Sequence, residues 1–215
     1  MAVVPLDTAL PLPPLDGARR STRKKADALL RAAAEVIAEK GFEGTSLRDV
    51  GRRLGVSLGG MYYYFSSKDD LLFQIQYRTF ESLLDSQQRL ASAGGTPTER
   101  LHQLLVGHLA FFERHPAEMK ICTYELESLE GDRFDRVLEI RRRYYRVVAA
   151  VVSELAGGPA RKSRESSHSR HLTLFIFGML NWAFMWYQRD KDGSVEALGE
   201  EMVNLLLHGI GKRRS

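Results

Sequence analysis

Three adjacent tyrosines, Tyr62, Tyr63 and Tyr64, follow the glycine pair Gly59 and Gly60 in a segment rich in hydroxyl groups. In a helix, three consecutive side chains point in three directions, so at least one tyrosine hydroxyl must face water or a phosphate. Each of the two glycines costs a helix about 1 kcal/mol relative to alanine. The pair therefore indicates either close approach of the backbone to a partner or tight packing against another helix, and both interpretations are open at this point.

The sequence offers little for covalent or metal chemistry. It contains no phosphate-binding glycine-rich loop with lysine and no His-Glu-x-x-His, and its Gly-x-Ser-x-Gly at 55–59 lies between two predicted helices and not in the strand-to-helix turn of a nucleophile elbow. His168 and His171 are three residues apart and could share a metal, but a surrounding rich in serine and arginine is more typical of a solvated surface. We therefore expect no enzyme activity, no catalytic residues, no metal and no cofactor.

The net positive charge of the chain is confined to one end. Residues 19–68 hold 11 Lys and Arg against 5 Asp and Glu, whereas residues 69–215 hold 20 of each. This bias is the electrostatic pattern of a nucleic-acid-binding segment on a neutral body. A helical adaptor that binds protein instead is the competing interpretation, and it predicts no steep salt dependence of DNA affinity.

Cysteine usage and hydropathy bound the compartment. The single cysteine, Cys122, excludes an internal disulfide and fits a reducing cytoplasm. The longest apolar stretch, residues 172–187, falls short of the roughly 20 apolar residues needed to span a bilayer. Prolines at 5, 11, 13 and 14 interrupt the beginning of the chain, which is typical of a tail and not of a secretory signal. We expect a cytoplasmic protein without membrane contact.

Helical periodicity accounts for the rest of the chain. Gly41 and Gly55 are predicted to end the first two helices, and Thr45 and Ser57 to cap the second and third. The last two long helices are expected at about 165–189 and 194–210. The prediction is an all-α fold with a disordered tail over 1–20, an N-terminal three-helix helix-turn-helix DNA-binding domain over 21–68, and a C-terminal helical ligand-binding and dimerisation domain over 69–215.

Residues 41–72 resemble the signature of the tetracycline-repressor (TetR) family of bacterial transcriptional regulators. They combine a threonine before the second helix, a Gly-Val-Ser turn at 55–57, a Tyr-Tyr-Tyr-Phe ending at 62–65 and a Ser-Lys-x-x-Leu start of the fourth helix at 67–71. The sequence departs from the family pattern at Tyr64, where histidine is usual, and at Gly51, where alanine is commoner. The Tyr64 departure bears on one phosphate contact, since tyrosine reaches further and carries no charge.

The resemblance implies that the second and third helices contact double-stranded operator DNA. In the family pattern, Thr45 and Ser46 bond phosphates, and Arg48 reaches a base or a phosphate. Apolar contacts and DNA shape are then expected to supply much of the specificity. The residues expected against base edges are Leu58, Gly59, Gly60 and Tyr63, and those expected on phosphates are Tyr62, Tyr64 and Lys68.

The resemblance also implies a homodimer, in which the last two long helices pair with their twofold mates. Trp182, Trp186 and Phe175 supply more apolar surface than one small domain needs to cover itself. A plain monomeric core is the alternative interpretation. A dimer would set two recognition helices against a pseudo-palindromic operator.

The effector is expected to be a small hydrophobic molecule, because the aromatic run 175–187 resembles that of family members that regulate fatty-acid, steroid and aromatic-acid breakdown. An acyl-CoA is the first expectation, with one of Arg141, Arg142 and Arg143 meeting its anionic groups. The alternative is a multidrug-type repressor that senses a cationic or aromatic compound through Glu125 and Glu127. In either case ligand is expected to weaken operator binding by separating the two DNA-binding heads through the fourth helix. The candidate ligand-binding residues are Phe111, Met119, Tyr124, Tyr144, Phe177, Asn181 and Trp182, of which Asn181 needs a backbone or ligand partner.

Overall fold

The computed structural model describes residues 20–157 and 166–210, and its regular secondary structure in these ranges is entirely helical. The tail expected over residues 1–20 lies outside the described residues apart from Arg20, at which the first helix begins. The all-α prediction is confirmed. The helices are α1 (Arg20–Lys40), α2 (Leu47–Leu54), α3 (Leu58–Tyr64), α4 (Lys68–Ser92), α5 (Pro97–Arg114), α6 (Pro116–Tyr124), α7 (Gly131–Leu155), α8 (Ser167–Trp186), α9 (Arg189–Asp192) and α10 (Val195–His208), with a 3₁₀ turn at Leu126–Ser128.

Side-chain caps fix the helix boundaries in the N-terminal region. Ser57 and Ser67 accept hydrogen bonds from the backbone N–H groups of Gly60 and Asp70 at the starts of α3 and α4. The sequence pattern predicts Thr45 as the N-terminal cap of α2, but the cap in the structure is Ser46. Ser46 forms a reciprocal capping box with Asp49, and these hydrogen bonds lower the pKa of the Asp49 carboxyl.

The C-terminal region differs from the sequence prediction at the end of α8. A single helix was expected over 165–189, but the helix ends at Trp186 because Tyr187 has an extended backbone, and α9 is a separate turn. The sequence also predicts a loop rich in arginine and serine after Gly157, and this loop lies largely outside the described residues.

The body is organised around α4 and α5, which pack against each other. α7 lies along α4. α8 packs against both α7 and α5, and α10 packs against α5. The contact between α10 and α5 is close because Gly199 has no side chain: a Cβ there would lie 2.5 Å from a Val106 methyl carbon. Within the described residues, no helix is both long enough and apolar enough to cross a membrane.

Candidate DNA-binding surface and ligand cavity

The turn between α2 and α3 is tight because one glycine, Gly55, lies in it and another, Gly51 of α2, packs directly against it. Gly55 ends α2 with φ at 67°, and the Val56 N–H donates to the Gly51 carbonyl oxygen at 2.8 Å. A Cβ on Gly51 would lie 2.6 Å from the Val56 carbonyl oxygen. Met61 and Phe65 are fully buried beneath α3. This arrangement lets α2 brace while α3 presents its outer face, as in helix-turn-helix proteins that enter the major groove.

The outer face of α3 exposes aromatic rings. Tyr62 and Tyr63 are 56% and 76% exposed, and Tyr64 is half-buried with its ring edge-on to Tyr63 at 5.0 Å. Leu58 is half-buried on the same helix. Large exposed aromatic rings on a short helix indicate a surface for a partner.

The two glycines of α3, Gly59 and Gly60, have different surroundings, so tight packing explains one of them and not the other. A Cβ on Gly59 would meet nothing within 4 Å, whereas a Cβ on Gly60 would lie 2.8 Å from Val56 Cγ1 and 3.3 Å from Ser57 Oγ. Packing therefore explains Gly60. No contact with the described residues explains Gly59, so close approach to a partner is the interpretation that fits it.

Three of the residues expected on phosphates have hydrogen-bond partners inside the protein. Thr45 is buried, and its hydroxyl donates to the Gly41 carbonyl oxygen at 2.8 Å. Lys68 Nζ donates to the Phe42 carbonyl oxygen at 3.2 Å and lies 4.2 Å from the centroid of the Phe42 ring. The Ser46 hydroxyl is hydrogen-bonded to Asp49 in the capping box, although the residue is exposed, and Arg48 is exposed on the surface. Ser46 and Arg48 are therefore accessible to a phosphate, whereas Thr45 is buried.

Hydrogen bonds join the head, which is formed by α1, α2 and α3, to α6 and to Glu125 directly after α6. The Phe42 N–H donates to a Glu125 carboxylate oxygen at 3.1 Å, and Lys120 Nζ donates to the Ala38 carbonyl oxygen at 2.7 Å. Phe42 lies in the turn between α1 and α2. A displacement of α6 would therefore be felt directly where the helix-turn-helix begins.

A second link joins the head to α4. Arg78 is largely buried and pairs with Asp27 of α1 at 3.5 Å. Burial lowers the pKa of the Arg78 guanidinium, and the Asp27 charge opposes that shift. Gln76, also on α4, donates to the Glu125 carbonyl oxygen at 2.8 Å. Glu125, at the end of α6, is thus hydrogen-bonded both to the head and to α4.

A cavity of about 190 Å³ lies in the body, between α4, α5, α6, α7 and α8. Apolar and aromatic side chains dominate its lining, which is typical of a small-molecule site. The lining residues are Phe80, His108, Met119, Cys122, Thr123, Arg141, Tyr144, Tyr145, Leu174, Phe177 and Asn181.

Two polar residues of the lining, His108 and Tyr144, are buried, whereas Thr123 and Asn181 are exposed. The ring of His108 lies parallel to that of Tyr144, and its Nδ1 is 2.5 Å from the Tyr144 hydroxyl. Burial lowers the pKa of His108 to about 3 and raises that of Tyr144, so both are neutral near pH 7. Arg141 donates to the Cys122 carbonyl oxygen at 3.1 Å and lies 5.1 Å from the Phe80 ring. The lining thus combines a largely apolar wall with one cation, one buried neutral hydrogen-bonding pair and two exposed polar residues, Thr123 and Asn181.

The structure brings four of the seven candidate ligand-binding residues to the cavity: Met119, Tyr144, Phe177 and Asn181. Asn181 is exposed, so the buried partner expected for it is not required. Phe111, Tyr124 and Trp182 do not line the cavity. Phe111 packs on His115 in the core, and Tyr124 and Trp182 are 53% and 63% exposed.

The acidic partners suggested for a cationic ligand do not fit this site. The Glu125 carboxylate accepts from the Phe42 N–H and from the Ser128 hydroxyl, and Glu127 is exposed. Neither residue lines the cavity. The interpretation of Glu125 as a ligand contact is therefore corrected to that of a residue joining the head to the body.

Sequence reasoning missed several lining residues, among them His108, Cys122 and Phe80. Only His108 left a signal, because it is a polar residue at the helical spacing of buried Leu104 and Phe112 on α5. Cys122 and Phe80 look like any other core position. Burial raises the pKa of the Cys122 thiol to about 12, so it acts there as an apolar group.

One side of α8 is an exposed apolar stripe. Phe175, Trp182 and Met185 are more than half exposed, and Gly178 lies between them at helical spacing. Leu205 and Leu207 of α10 are also exposed. A contiguous exposed apolar stripe of this length is characteristic of a protein interface.

These features define a helical DNA-binding regulator with a separate small-molecule cavity. The sequence matches two protein-family models. The one described as "Bacterial regulatory proteins, tetR family" covers residues 29–75, and the one described as "Tetracyclin repressor-like, C-terminal domain" covers residues 94–210. The chain belongs to the tetR family of bacterial regulatory proteins. It is therefore a helix-turn-helix transcriptional regulator, and the expectation of a regulator instead of an enzyme is confirmed by the family.

Relatives match over nearly the whole chain. The fatty acid metabolism regulator protein of Bacillus subtilis (strain 168) is 22% identical over 192 residues, which cover 89% of this chain and 98% of that protein. A TetR-family transcriptional regulator from Bordetella parapertussis 12822 superimposes with a TM-score of 0.79 at 25% identity, over 86% of this chain and 95% of its own. AibR in complex with isovaleryl coenzyme A and operator DNA has the same fold, with a TM-score of 0.73 at 20% identity over 84% and 97% of the two chains.

Proposed function

We propose that this chain is a homodimeric repressor that leaves its operator when an acyl-CoA enters the cavity of the body. The observation that carries the proposal is a largely apolar cavity with a single cation, Arg141, beside a neutral polar pair. Such a lining suits a molecule with an apolar acyl group and an anionic remainder. The name of the Bacillus relative and the ligand held by AibR support the same class of effector.

Operator contact is assigned to the exposed face of α2 and α3, within a DNA-binding domain that spans residues 21–68. Tyr62 and Tyr63 supply large exposed surfaces, and Gly59 lets the backbone approach the groove. Phosphate contacts at the start of α2 are assigned to the exposed residues Ser46 and Arg48. The remaining proposed contacts are Leu58, Gly60, Tyr64 and Lys68, with Thr45 in a supporting position.

Dimerisation is assigned to the apolar stripe of α8 together with α10, within the ligand-binding and dimerisation domain that covers residues 69–215. Two copies related by a twofold axis would bury the rings of Phe175 and Trp182, and Gly178 would let the two helices approach closely. The twofold axis would then present two α3 helices to a pseudo-palindromic operator.

Release is assigned to a movement of α6 together with α4. Met119, Cys122 and Thr123 place α6 in the cavity wall, and Glu125 holds the Phe42 N–H of the head. A ligand that fits the cavity only when α6 is displaced would favour a different spacing of the two heads. The shift in operator affinity then equals the difference in ligand affinity between the two arrangements.

The test is operator binding by the purified protein at fixed salt, using DNA from upstream of its own gene. Fluorescence anisotropy is recorded with no addition, with coenzyme A alone and with acyl-CoAs of increasing chain length. We expect tight binding that one acyl-CoA weakens by at least about tenfold and that coenzyme A alone leaves unchanged. Equal affinity throughout the series would contradict the effector class, and a flat salt dependence would favour the adaptor over a DNA-binding protein.

The control variant in this assay is Tyr63→Ala. It removes an exposed ring from the proposed DNA surface and leaves the cavity untouched. We expect loss of operator affinity with acyl-CoA binding retained, as measured by calorimetry. Loss of both would show that the variant damages the whole molecule.

A further inference from the structure

His108, which lines the ligand cavity, has a ring nitrogen that forms no hydrogen bond with the described residues. Its side chain is 1% exposed, and Nε2 has no hydrogen-bond partner among the residues that the structure describes. A buried polar atom without a partner is rare, because its desolvation is not compensated. Since the imidazole lines the cavity, a ligand is the natural source of the missing partner.

Tyr144 determines which partner that nitrogen requires. The Tyr144 hydroxyl lies 2.5 Å from Nδ1. A phenol O–H is more acidic than an imidazole N–H, and an imidazole nitrogen is a better acceptor than a phenol oxygen, so the hydroxyl donates and Nδ1 accepts. The proton of the neutral ring then resides on Nε2, which becomes a donor in search of an acceptor.

The charge state of the ring narrows the class of acceptor. Burial lowers the pKa of His108 to about 3, so the ring is a neutral donor near pH 7. Arg141 is the cation of this lining, and it already donates to the Cys122 carbonyl oxygen. A neutral buried donor suits an uncharged carbonyl oxygen better than a carboxylate, which would give up its hydration for an uncharged partner.

The size of the cavity limits the group that carries the carbonyl. Its volume is about 190 Å³, and a protein cavity of about 150 Å³ is known to hold benzene. The space therefore accommodates about eight non-hydrogen atoms. A long-chain acyl group or a steroid, with roughly 17 to 20 or more non-hydrogen atoms, exceeds this number at least about twofold.

We propose that the cavity selects a short acyl group of about four to six carbons and that His108 Nε2 donates a hydrogen bond to its carbonyl oxygen, with Tyr144 as the positioning residue. This inference rests on the proposed acyl-CoA response and adds the chain length and the recognising atom. A thioester and a free short-chain acid share the acyl group, and the thioester is distinguished by its uncharged carbonyl.

The test compares butyryl-CoA with S-butyl-CoA, a thioether that lacks only the carbonyl oxygen. We expect the wild-type protein to bind the thioester about tenfold more tightly, because the thioether leaves the donor unpaired. His108→Leu should abolish this preference, and His108→Gln should restore part of it, since a glutamine amide can donate near the position of Nε2. His102→Gln, on the same helix but outside the cavity, is the matched control.

Two further arms separate the alternatives. Butyrate tests the free acid, and palmitoyl-CoA tests the limit of size; both should bind at least about tenfold more weakly than butyryl-CoA. Tighter binding of palmitoyl-CoA would overturn the size selection, and tighter binding of butyrate the thioester assignment. Equal binding of butyryl-CoA and S-butyl-CoA would overturn the hydrogen bond but leave the proposed function standing. If no acyl-CoA of any length binds or shifts operator affinity, the proposed function itself fails.

A measurement on the wild-type protein guards against variants that do not fold. Nitrogen-15 NMR of the imidazole rings should show one histidine that does not titrate between pH 5 and 8 and carries its proton on Nε2. Addition of butyryl-CoA should shift that Nε2 resonance, and S-butyl-CoA should leave it nearly unchanged. A proton on Nδ1 would contradict the assigned donor.

Discussion

The DNA-binding head and the ligand-binding body place their functional polar groups in opposite ways. On the head, the rings of Tyr62 and Tyr63 stand in solvent above a fully buried base of Met61 and Phe65. In the body, His108 and Tyr144 are buried and form their hydrogen bond away from water.

This difference separates two kinds of recognition. The head meets a large, charged and hydrated partner, so its contacts are exposed in the free protein and a rigid base has to hold them in position. The body encloses a small partner, so a few buried groups decide which ligand compensates their desolvation. Exposed contacts can be replaced with little effect on folding, whereas each buried group of the cavity also contributes to stability.

Phe65→Ala and Tyr63→Ala separate folding from binding within the head itself. Phe65 is fully buried, so its truncation should lower the free energy of unfolding by about 3–5 kcal/mol. Tyr63 is 76% exposed, so Tyr63→Ala should change it by less than about 0.5 kcal/mol. Urea denaturation at constant protein concentration checks both values. Similar losses in the two variants would break the distinction between an exposed surface and its base.

Acid should reveal the buried histidine of the body. The folded state lowers the pKa of His108 to about 3 from an ordinary value near 6.5, so the unfolded chain binds the proton first. The contribution of His108 to stability is therefore complete above about pH 6.5 and is lost as the pH falls from there toward 3, by up to about 1.4 kcal/mol per pH unit.

The measurement is the difference in unfolding free energy between wild type and His108→Gln at pH 7 and at pH 4.5. Glu81, whose pKa burial raises, works in the opposite direction, but it is present in both proteins and cancels in the difference. We expect the wild type to lose about 2–3 kcal/mol more than the variant. Parallel curves would mean that the ring is accessible to protons in the folded state.

Glu125 tests whether the two regions communicate through the end of α6. Glu125→Ala removes the acceptor of the Phe42 N–H, a charge-assisted hydrogen bond of about 1.5–3 kcal/mol. The ratio of operator affinities without and with effector should fall about fivefold, a coupling loss of about 1 kcal/mol, while effector affinity is retained. Glu127→Ala, exposed two residues away, is the control. An unchanged ratio in Glu125→Ala would place the coupling elsewhere, with the Arg78–Asp27 pair as the next candidate.

Local rules were sufficient to predict most of the head. Gly55, Ser57 and Ser67 occupy the turn and cap positions that backbone geometry demands, and Met61 and Phe65, four residues apart, lie together on the buried side of α3 as helical spacing requires. The prediction of Thr45 as the cap of α2 was wrong because Thr45 and Ser46 are adjacent and both carry a hydroxyl. Which of the two hydroxyls faces the helix depends on the packing of the preceding turn.

The cavity could be predicted only in part, because its residues come from five helices. Aromatic residues at helical spacing look alike whether they face a core, a cavity or a partner, which is why Phe111, Tyr124 and Trp182 were assigned to the ligand. The pairing of His108 on α5 with Tyr144 on α7 depends on how the two helices pack. Similarly, the break at Tyr187 depends on backbone geometry that no glycine or proline marks in the sequence.

The smallest expected effect concerns the glycine pair of α3. Gly59→Ala should stabilise the protein by about 0.5–1 kcal/mol, because alanine loses less conformational entropy in a helix and its Cβ meets nothing within 4 Å. The same methyl group should weaken operator binding if the backbone there approaches DNA. Gly60→Ala should give no such stabilisation, since its Cβ would lie 2.8 Å from Val56 Cγ1. Denaturation and anisotropy on the two variants therefore separate the two roles, and a stabilised Gly59→Ala that binds operator normally would show that the surface of α3 stops short of the groove.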